Sequence, residues 1–295
     1  MKAPDFVYCR AATLDDAFRL KTEHGSEARW LAGGQSLLAA LAFRLSEPVA
    51  LIDISRIETL KGITVTNGVV RIGAATTHAA IAASDMVRLH VPLLAEAVLQ
   101  IAHAAIRNRG TIGGSLAFAD PAAELPACCV ALDATLVAVG PKGERRVAAR
   151  DFFLGVYATA LEDAELLAAI EVRSLTPGEH HALVELTRRA GDYAMAGVAV
   201  VVQTEAAAIT TARAVYFALG DAPVEAKTVN AYLAGKTIDD EHIEAAAKLA
   251  LQDLDPAGDL NGGPAMKRHL AQVVLTRALK QITKQMTAAS ARTPI

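Results

Sequence analysis

Arg107-Asn108-Arg109-Gly110-Thr111-Ile112-Gly113-Gly114-Ser115 is the stretch on which the reading of this chain turns. Glycines, arginines and small hydroxyl residues fill most of it, and such a segment is costly to order unless something holds it. Backbone amides at Ile112, Gly113, Gly114 and Ser115, with the Thr111 and Ser115 hydroxyls, suit a pyrophosphate. The alternative is a solvated loop whose arginines pair with the ends of a sheet. On the pyrophosphate reading, Gly113→Val puts a side chain where a phosphate oxygen lies. It is therefore expected to lose the ligand and keep the fold.

A second glycine turn lies upstream, in Leu31-Ala32-Gly33-Gly34-Gln35-Ser36-Leu37. Ala28 to Leu31 reads as a strand and Leu37 to Arg44 as a helix. Two glycines between them allow positive φ and let another backbone, or a ligand, come close. The amides of Gly34 to Leu37 then point from the helix N-terminus at one place, an anion site that the helix dipole reinforces. Ser36 either caps the helix or binds a phosphate oxygen, and the plain reading is a tight turn with a Ser cap. Two such turns in one domain favour a dinucleotide, whose pyrophosphate needs its charge neutralised from more than one side. No GxGxxG follows the first strand, no acidic residue stands where a Rossmann fold reads a ribose, and no GxxxxGK[ST] loop occurs. A Rossmann NAD enzyme is disfavoured.

The flanking elements follow from period and punctuation. Phe6-Val7-Tyr8 reads as a strand, Thr13 caps a helix over Leu14 to Glu23, and Gly25 stops it. Leu51 to Ile54 is the next strand, completing a strand–glycine turn–helix–strand unit. Ile63 to Ile72, with Asn67-Gly68 at the turn, is a hairpin signal. Thr76-Thr77 caps a helix from His78 to Ala83, and Pro92 opens a longer one over Leu93 to Ile106. Asp120-Pro121 precedes a helical stretch from Ala122 to Leu132. A hairpin over Ala134 to Val147 and a strand from Leu166 to Val172 close this region. Thr176-Pro177-Gly178 is the candidate boundary. Beyond it Leu183 to Arg189, Ala199 to Gln203 and Arg213 to Leu219 read as a small antiparallel sheet. Helices follow, one starting at Asp239-Asp240 and running through Leu251 and one from near Pro264 to about Gln285, with the end from about Thr283 reading as frayed.

Composition narrows the classes. The chain has 295 residues, 53% hydrophobic and 21% charged, enough for a sizeable core. A prior of roughly 150 residues per domain gives two domains. Lys plus Arg is 29 against Asp plus Glu at 32, so the concentrated basic charge that nucleic acid or an anionic membrane needs is missing. No apolar run reaches the length of a membrane helix, and the N-terminus lacks a signal peptide's apolar stretch, so a cytoplasmic protein is expected. An iron–sulfur cluster needs about four thiolates, and there are only three cysteines, without a CxxC pair. Cys128 and Cys129 lie in an apolar run and read as buried core thiols, so redox chemistry would rest on a bound organic cofactor. His78, His103 and His269 fall in helical patterns, and His180-His181 is expected in solvent at the boundary. No pair has metal spacing, and no GxSxG occurs. Glu124, among apolar neighbours, either meets a hydroxyl-rich ligand chain or is an ordinary first-turn helix acid. Tyr193, in Arg188-Arg189-Ala190-Gly191-Asp192-Tyr193-Ala194, lies beside a planar ring or is a sheet tyrosine.

Together these segments resemble the FAD-binding signatures of the molybdenum hydroxylase family, which are Ala32-Gly33-Gly34-Gln35-Ser36-Leu37, Ile106 to Ser115 and Ala119 to Pro126. The match is to the separate medium subunit of three-subunit enzymes such as carbon monoxide dehydrogenase and quinoline-type dehydrogenases; xanthine dehydrogenase carries the same module fused in one chain. Gly191-Asp192-Tyr193-Ala194 and Arg268-His269-Leu270 also fit, so the likeness spans the chain. It implies an α+β fold: a vanillyl-alcohol-oxidase-type FAD-binding domain over residues 1–176, in two α+β subdomains of about 1–56 and 57–176. A small α+β C-terminal domain, an antiparallel sheet plus helices, would take residues 177–295.

Carried over by position, Ala32, Gly33, Gly34, Gln35, Ser36 and Leu37 would wrap the pyrophosphate with Thr111, Ile112, Gly113, Gly114 and Ser115. Glu124 matches a carboxylate, more often Asp in the family, that contacts the ribityl chain. Ile72 and Leu167 match apolar contacts, and Tyr193 would lie near the flavin ring. The strand before Arg188 often carries a lysine in this family, where Glu185 stands here; either Arg188 serves instead or the flavin potential is lower. The resemblance further implies a small iron–sulfur subunit with two [2Fe–2S] clusters and a large subunit with the molybdenum-pterin, in a dimer of heterotrimers. Electrons would pass from the clusters to FAD and out to an external acceptor. A free-standing flavin oxidase of the same fold is the alternative, and a scaffold that has lost its flavin is a third.

Overall fold

The computed structural model describes residues 3–290. Strands β1 (Val7–Arg10), β2 (Ala28–Leu31) and β3 (Ala50–Asp53) form a parallel sheet in the order β1-β3-β2. Helix α1 (Leu14–His24) makes the first crossover, and the Thr13 hydroxyl accepts the Asp16 amide at 3.1 Å to cap it. Helix α2 (Leu37–Ala42) makes the second. It stops short of the expected Arg44, which adopts φ 57. All four residues of β3 are buried, as a central parallel strand requires.

The hairpin of β4 (Ile63–Thr66) and β5 (Val69–Gly73) turns at Asn67 and Gly68, with φ 51 and 74, the pair that a type I′ turn demands. Thr77 caps α3 (His78–Ala83), and Ser84 caps a separate α4 (Asp85–His90). The single helix expected over Leu93 to Ile106 is two: α5 (Pro92–Gln100) and α6 (Ala104–Arg107). Ala102, at φ 42, breaks it. Next come α7 (Ile112–Phe118) and α8 (Glu124–Ala131). The glycine-rich segment is thus the start of a helix, not an open loop. Strands β6 (Thr135–Gly140) and β7 (Gly143–Ala148), helix α9 (Ala149–Phe152), the small β8 (Phe153–Gly155) and β9 (Ala158–Thr159), and β10 (Leu166–Arg173) follow. The larger strands join the hairpin in an antiparallel sheet ordered β4-β5-β10-β6-β7.

The chain divides into two compact units. The first runs to Val91 and takes in His103–Asp120 and Ala134–Ser174; the second comprises Pro92–Ala102, Pro121–Asp133 and the chain from Leu175. The second unit is built on an antiparallel sheet of β11 (Glu179–Leu186), β12 (Ala196–Glu205), β13 (Ala208–Phe217) and β14 (Val224–Glu225). Alternate residues of β12 serve two layers. Val198, Val200 and Val202 join the core built by α10 (Lys227–Leu233), α11 (Asp240–Leu249) and α12 (Pro264–Ser290). On the opposite alternation Ala199 is also fully buried, and α8 packs against β12 and β13. Cys128 and Cys129 on α8 have no exposed surface, as their apolar run suggests.

Two further expectations change here. Helix α12 persists to Ser290 rather than fraying from Thr283, because Leu279 and Ile282 are buried and Gln285 donates to the His181 carbonyl at 2.9 Å. The part of that expectation covering 291–295 lies outside the described residues. His181 is not a solvent residue either: it sits in β11, half-buried, 3.2 Å from Glu96. Among the described residues, no helix is long and apolar enough to cross a membrane.

Candidate functional site

Parallel strands gather ligands at their carboxyl ends, where loops and helix N-termini meet. In the first unit β1 ends at Arg10, β3 at Asp53, and β2 runs into Ala32-Gly33-Gly34. A cavity of about 710 Å³ opens there, within the roughly 300–1,000 Å³ of small-molecule sites. Its wall carries four cations, Arg10, Arg56, Lys61 and Arg109, against one acid, Asp53. That excess suits a multiply charged anion. Asp53 is itself engaged, accepting from the Tyr8 hydroxyl at 2.5 Å and the Ser55 amide at 2.8 Å. Burial lifts its pKa, but the bonds from Ser55 and Tyr8 and the Arg10 charge outweigh that and hold it below the usual carboxylate range. Tyr8, Arg10, Asp53, Arg56 and Lys61 escaped the sequence reading. The carboxyl-end rule applied to β1 and β3 would have found Arg10 and Asp53.

The two glycine turns meet in this wall. A Cβ on Gly33 would lie 2.1 Å from the Arg109 carbonyl oxygen and 2.8 Å from the Gly110 Cα, so only glycine lets the turns touch. Gly34 sits at φ 73. The Gln35 side chain folds back onto the Gly33 carbonyl at 3.0 Å, and Leu37 begins α2, packed with Leu31, Leu41 and Leu51. Ser36 holds the N-cap position without making a cap bond. Among the described residues the amides of Gly34, Gln35, Ser36 and Leu37 donate to no protein acceptor. Four adjacent free donors beside a cationic cavity fit a pyrophosphate.

The second turn differs from expectation. Its amides are all in use: Ile112 to the Thr76 carbonyl at 3.1 Å, Gly113 to Ala74 at 2.8 Å, Gly114 to the Thr111 hydroxyl at 3.1 Å and Ser115 to the Thr111 carbonyl at 3.0 Å. They dock α7 and cap it, so they are not spare donors for a phosphate. What this segment brings to the cavity wall is Asn108, Arg109 and Thr111. Gly113 is buried against Ala74, whose methyl and carbonyl would lie 2.4 and 2.7 Å from an added Cβ. A side chain there meets protein before ligand. Ile112 is buried, Gly114 faces the Ala32 methyl, and Ser115 is half-buried. Ile72 and Leu167 lie in β5 and β10, almost wholly buried and outside the cavity wall. His78 packs beneath Gly110 with its Nδ1 unpartnered among the described residues. Burial first, then the Arg107 charge, pulls its pKa down to about 4, so it is neutral at pH 7.

In the second unit Glu124 is the first residue of α8. Arg188 and Tyr193 lie beyond the end of β11, in the loop to β12, so Tyr193 is not a sheet residue; it is 65% exposed. Gly191 anchors this loop at φ 84, where a Cβ would lie 2.8 Å from the Ala102 carbonyl. Glu185 pairs with Gly197 across β11 and β12, and its Oε2 is buried without a partner among the described residues. Burial raises its pKa to about 7. Its ionised form is therefore disfavoured in the folded chain, and stability falls as pH rises from about 4.5 through 7. Glu185→Gln removes that dependence. Thermal or urea unfolding should find the variant about 1–2 kcal/mol more stable at pH 8 and little changed at pH 5, after discounting for partial exposure. Equal stability differences at both pH values would contradict the assignment.

Comparison with known proteins shows the family. The family described as "FAD binding domain in molybdopterin dehydrogenase" matches residues 4–173, and "CO dehydrogenase flavoprotein C-terminal domain" matches 181–282. The carbon monoxide dehydrogenase medium chain of Hydrogenophaga pseudoflava is 38% identical over 279 residues, 95% of this chain and 97% of that one. Subunit alpha of the 6-hydroxypseudooxynicotine dehydrogenase complex of Paenarthrobacter nicotinovorans is 37% identical, covering 97% of this chain and 96% of that one. Among solved structures, carbon monoxide dehydrogenase from Hydrogenophaga pseudoflava superposes with a TM-score of 0.94 at 38% identity, over 96% of this chain and 99% of that one. Quinoline 2-oxidoreductase from Pseudomonas putida gives 0.92 at 35% identity, over 97% and 99%. The chain therefore belongs to the molybdenum hydroxylase family as its FAD-binding medium subunit.

Proposed function

We propose that this chain is the electron-transfer subunit of a heterotrimeric molybdenum hydroxylase, taking electrons from the [2Fe–2S] clusters of a small partner subunit and passing them to an external acceptor. The observation that carries the cofactor's place is the contact of Gly33 with Arg109–Gly110 beside four unused amides. In this reading the Gly34, Gln35, Ser36 and Leu37 amides and the Ser36 hydroxyl hold the pyrophosphate, and Arg109 balances its charge. Thr111 keeps its hydroxyl on the Gly114 amide and so fixes the second turn. Glu124 would contact the ribityl chain, and Arg188 and Tyr193 would lie near the ring. When bound, FAD would supply the chemistry that couples one-electron arrivals to a two-electron delivery. The side chains need only bind, orient and tune it.

The partners are inferred from relatives, which are named as medium or alpha subunits of multi-subunit dehydrogenases. The chain's own thiols do not offer cluster ligands: burial pushes Cys129 up to about 12 and raises Cys128 as well, while Cys9 lies 3.3 Å from His24 in the first unit. The visible spectrum and donor turnover of the isolated chain test the proposal. Bound flavin, no oxidation of any organic donor, and recovery of turnover on adding iron–sulfur and molybdenum subunits are expected. Turnover by the chain alone would mean a free-standing oxidase, and a colourless chain that takes up no FAD would contradict both.

A further inference from the structure

Lys267, on α12, is only 5% exposed. Its Nζ donates to the Ala218 carbonyl at 2.9 Å and pairs with Asp259 at 2.6 Å. Lysines are seldom buried without such partners. The two partners lead in different directions. Ala218 stands at φ 62, a left-handed conformation unfavourable to a residue with a Cβ, and its own N–H donates to the Pro121 carbonyl at 2.8 Å. Pro121 lies just before Glu124, the first residue of α8. On the other side Asp259 closes a tight turn by accepting from the Asn261 and Gly262 amides at 2.7 and 3.2 Å. The next residue, Leu260, gives its carbonyl to the Arg188 guanidinium at 3.2 Å. Burial lifts the Asp259 carboxyl, but the bond from Lys267 and those amides outweigh it and hold the group ionised. An ammonium has several donors on one atom, so it can tie a carbonyl and a carboxylate together; an apolar side chain of the same length cannot.

From this wiring we propose that Lys267 is a positioning residue, holding Glu124 through Ala218 and Pro121 and holding Arg188 through the turn at Asp259–Gly262. The inference rests on the reading that Glu124 and Arg188 meet FAD. Lys267 acts through Ala218 and Asp259.

The test is Lys267→Met in the full-length chain, read by amide hydrogen exchange and by FAD titration of the apoprotein. Exchange at Ala218 and at Asn261 and Gly262 is expected to quicken at least about tenfold, with β12 still protected. FAD binding is expected to weaken about tenfold, as for other outer-layer positioning groups. Adding Arg188→Ala should cost less than the product of the two single effects, because both changes release the same contact. Asp259→Asn leaves the Ala218 bond in place, and should quicken exchange at Asn261 and Gly262 alone. Unchanged exchange at Ala218 in Lys267→Met, or fully multiplicative losses in the double variant, would overturn the positioning role even where Arg188→Ala alone weakens FAD. Parent-like FAD binding by both Arg188→Ala and Glu124→Gln would instead overturn the flavin-facing assignment of those two residues, and this inference with it.

Discussion

Gly33→Ala is expected to weaken FAD binding by roughly a hundredfold or more, since a displacement of about 1 Å in a binding constellation has effects of that order. The added methyl would lie 2.1 Å from the Arg109 carbonyl oxygen, and 2.8 Å from both the Arg109 carbonyl carbon and the Gly110 Cα. Those are main-chain atoms, so no rotamer relieves the clash; the two turns must part. Local overpacking of this kind costs about 1–3 kcal/mol, which a unit of this size survives. The variant should therefore fold and purify almost colourless, with the loss read as a raised dissociation constant for FAD. Gly34→Ala is the control. Its φ of 73 makes alanine strained, yet the new methyl meets only the Leu38 and Leu31 side chains, at 3.0 and 3.2 Å. A stability loss of about 1 kcal/mol with flavin largely retained is expected there. Parent-like FAD affinity in Gly33→Ala would mean that contact between the turns is irrelevant to the cofactor.

Gly113→Val is expected to damage the fold itself. The amide of Gly113 docks on the Ala74 carbonyl at 2.8 Å, and the Ala74 amide in turn bonds the Ala168 carbonyl at 2.9 Å, so α7 is tied to the central sheet through this point. A Cβ at Gly113 would sit 2.4 to 2.8 Å from the Ala74 methyl, carbonyl oxygen and Cα, and valine adds two further methyls. A loss of about 3 kcal/mol or more follows from driving a branched side chain into backbone. That is a fall in melting temperature of at least about 6 °C, or insoluble protein. The sequence alone suggested the opposite outcome, flavin lost and fold kept. Circular dichroism with a melting curve decides between them. A variant that melts like the parent and only loses FAD would restore the first reading.

That reversal shows what a sequence conveys and what it cannot. The glycine pairs were legible because few other residues produce such turns, and β2, α3 and the β4–β5 hairpin follow from capping, period and an Asn-Gly turn. Which backbone each glycine approaches is a tertiary fact. Gly33 meets the other turn, Gly113 meets Ala74, and nothing local separates the two cases. The amides of Ile112 to Ser115 looked available because their acceptors, Ala74, Thr76 and Thr111, lie in a neighbouring segment or inside the cap. Tyr8, Arg10 and Asp53 were hidden for a related reason: each is unremarkable in its own strand, and only the β1-β3-β2 order brings them together. The break at Ala102 was equally invisible, since alanine is a good helix former and its left-handed φ of 42 has no local signal in the sequence.

The most direct measurement is a crystal structure of the full chain loaded with FAD. The diphosphate is expected within hydrogen-bonding distance of the Gly34, Gln35, Ser36 and Leu37 amides, beside Arg109 and in the cavity at the carboxyl ends of β1 and β3. A diphosphate seated elsewhere, with those amides facing only water, would contradict it.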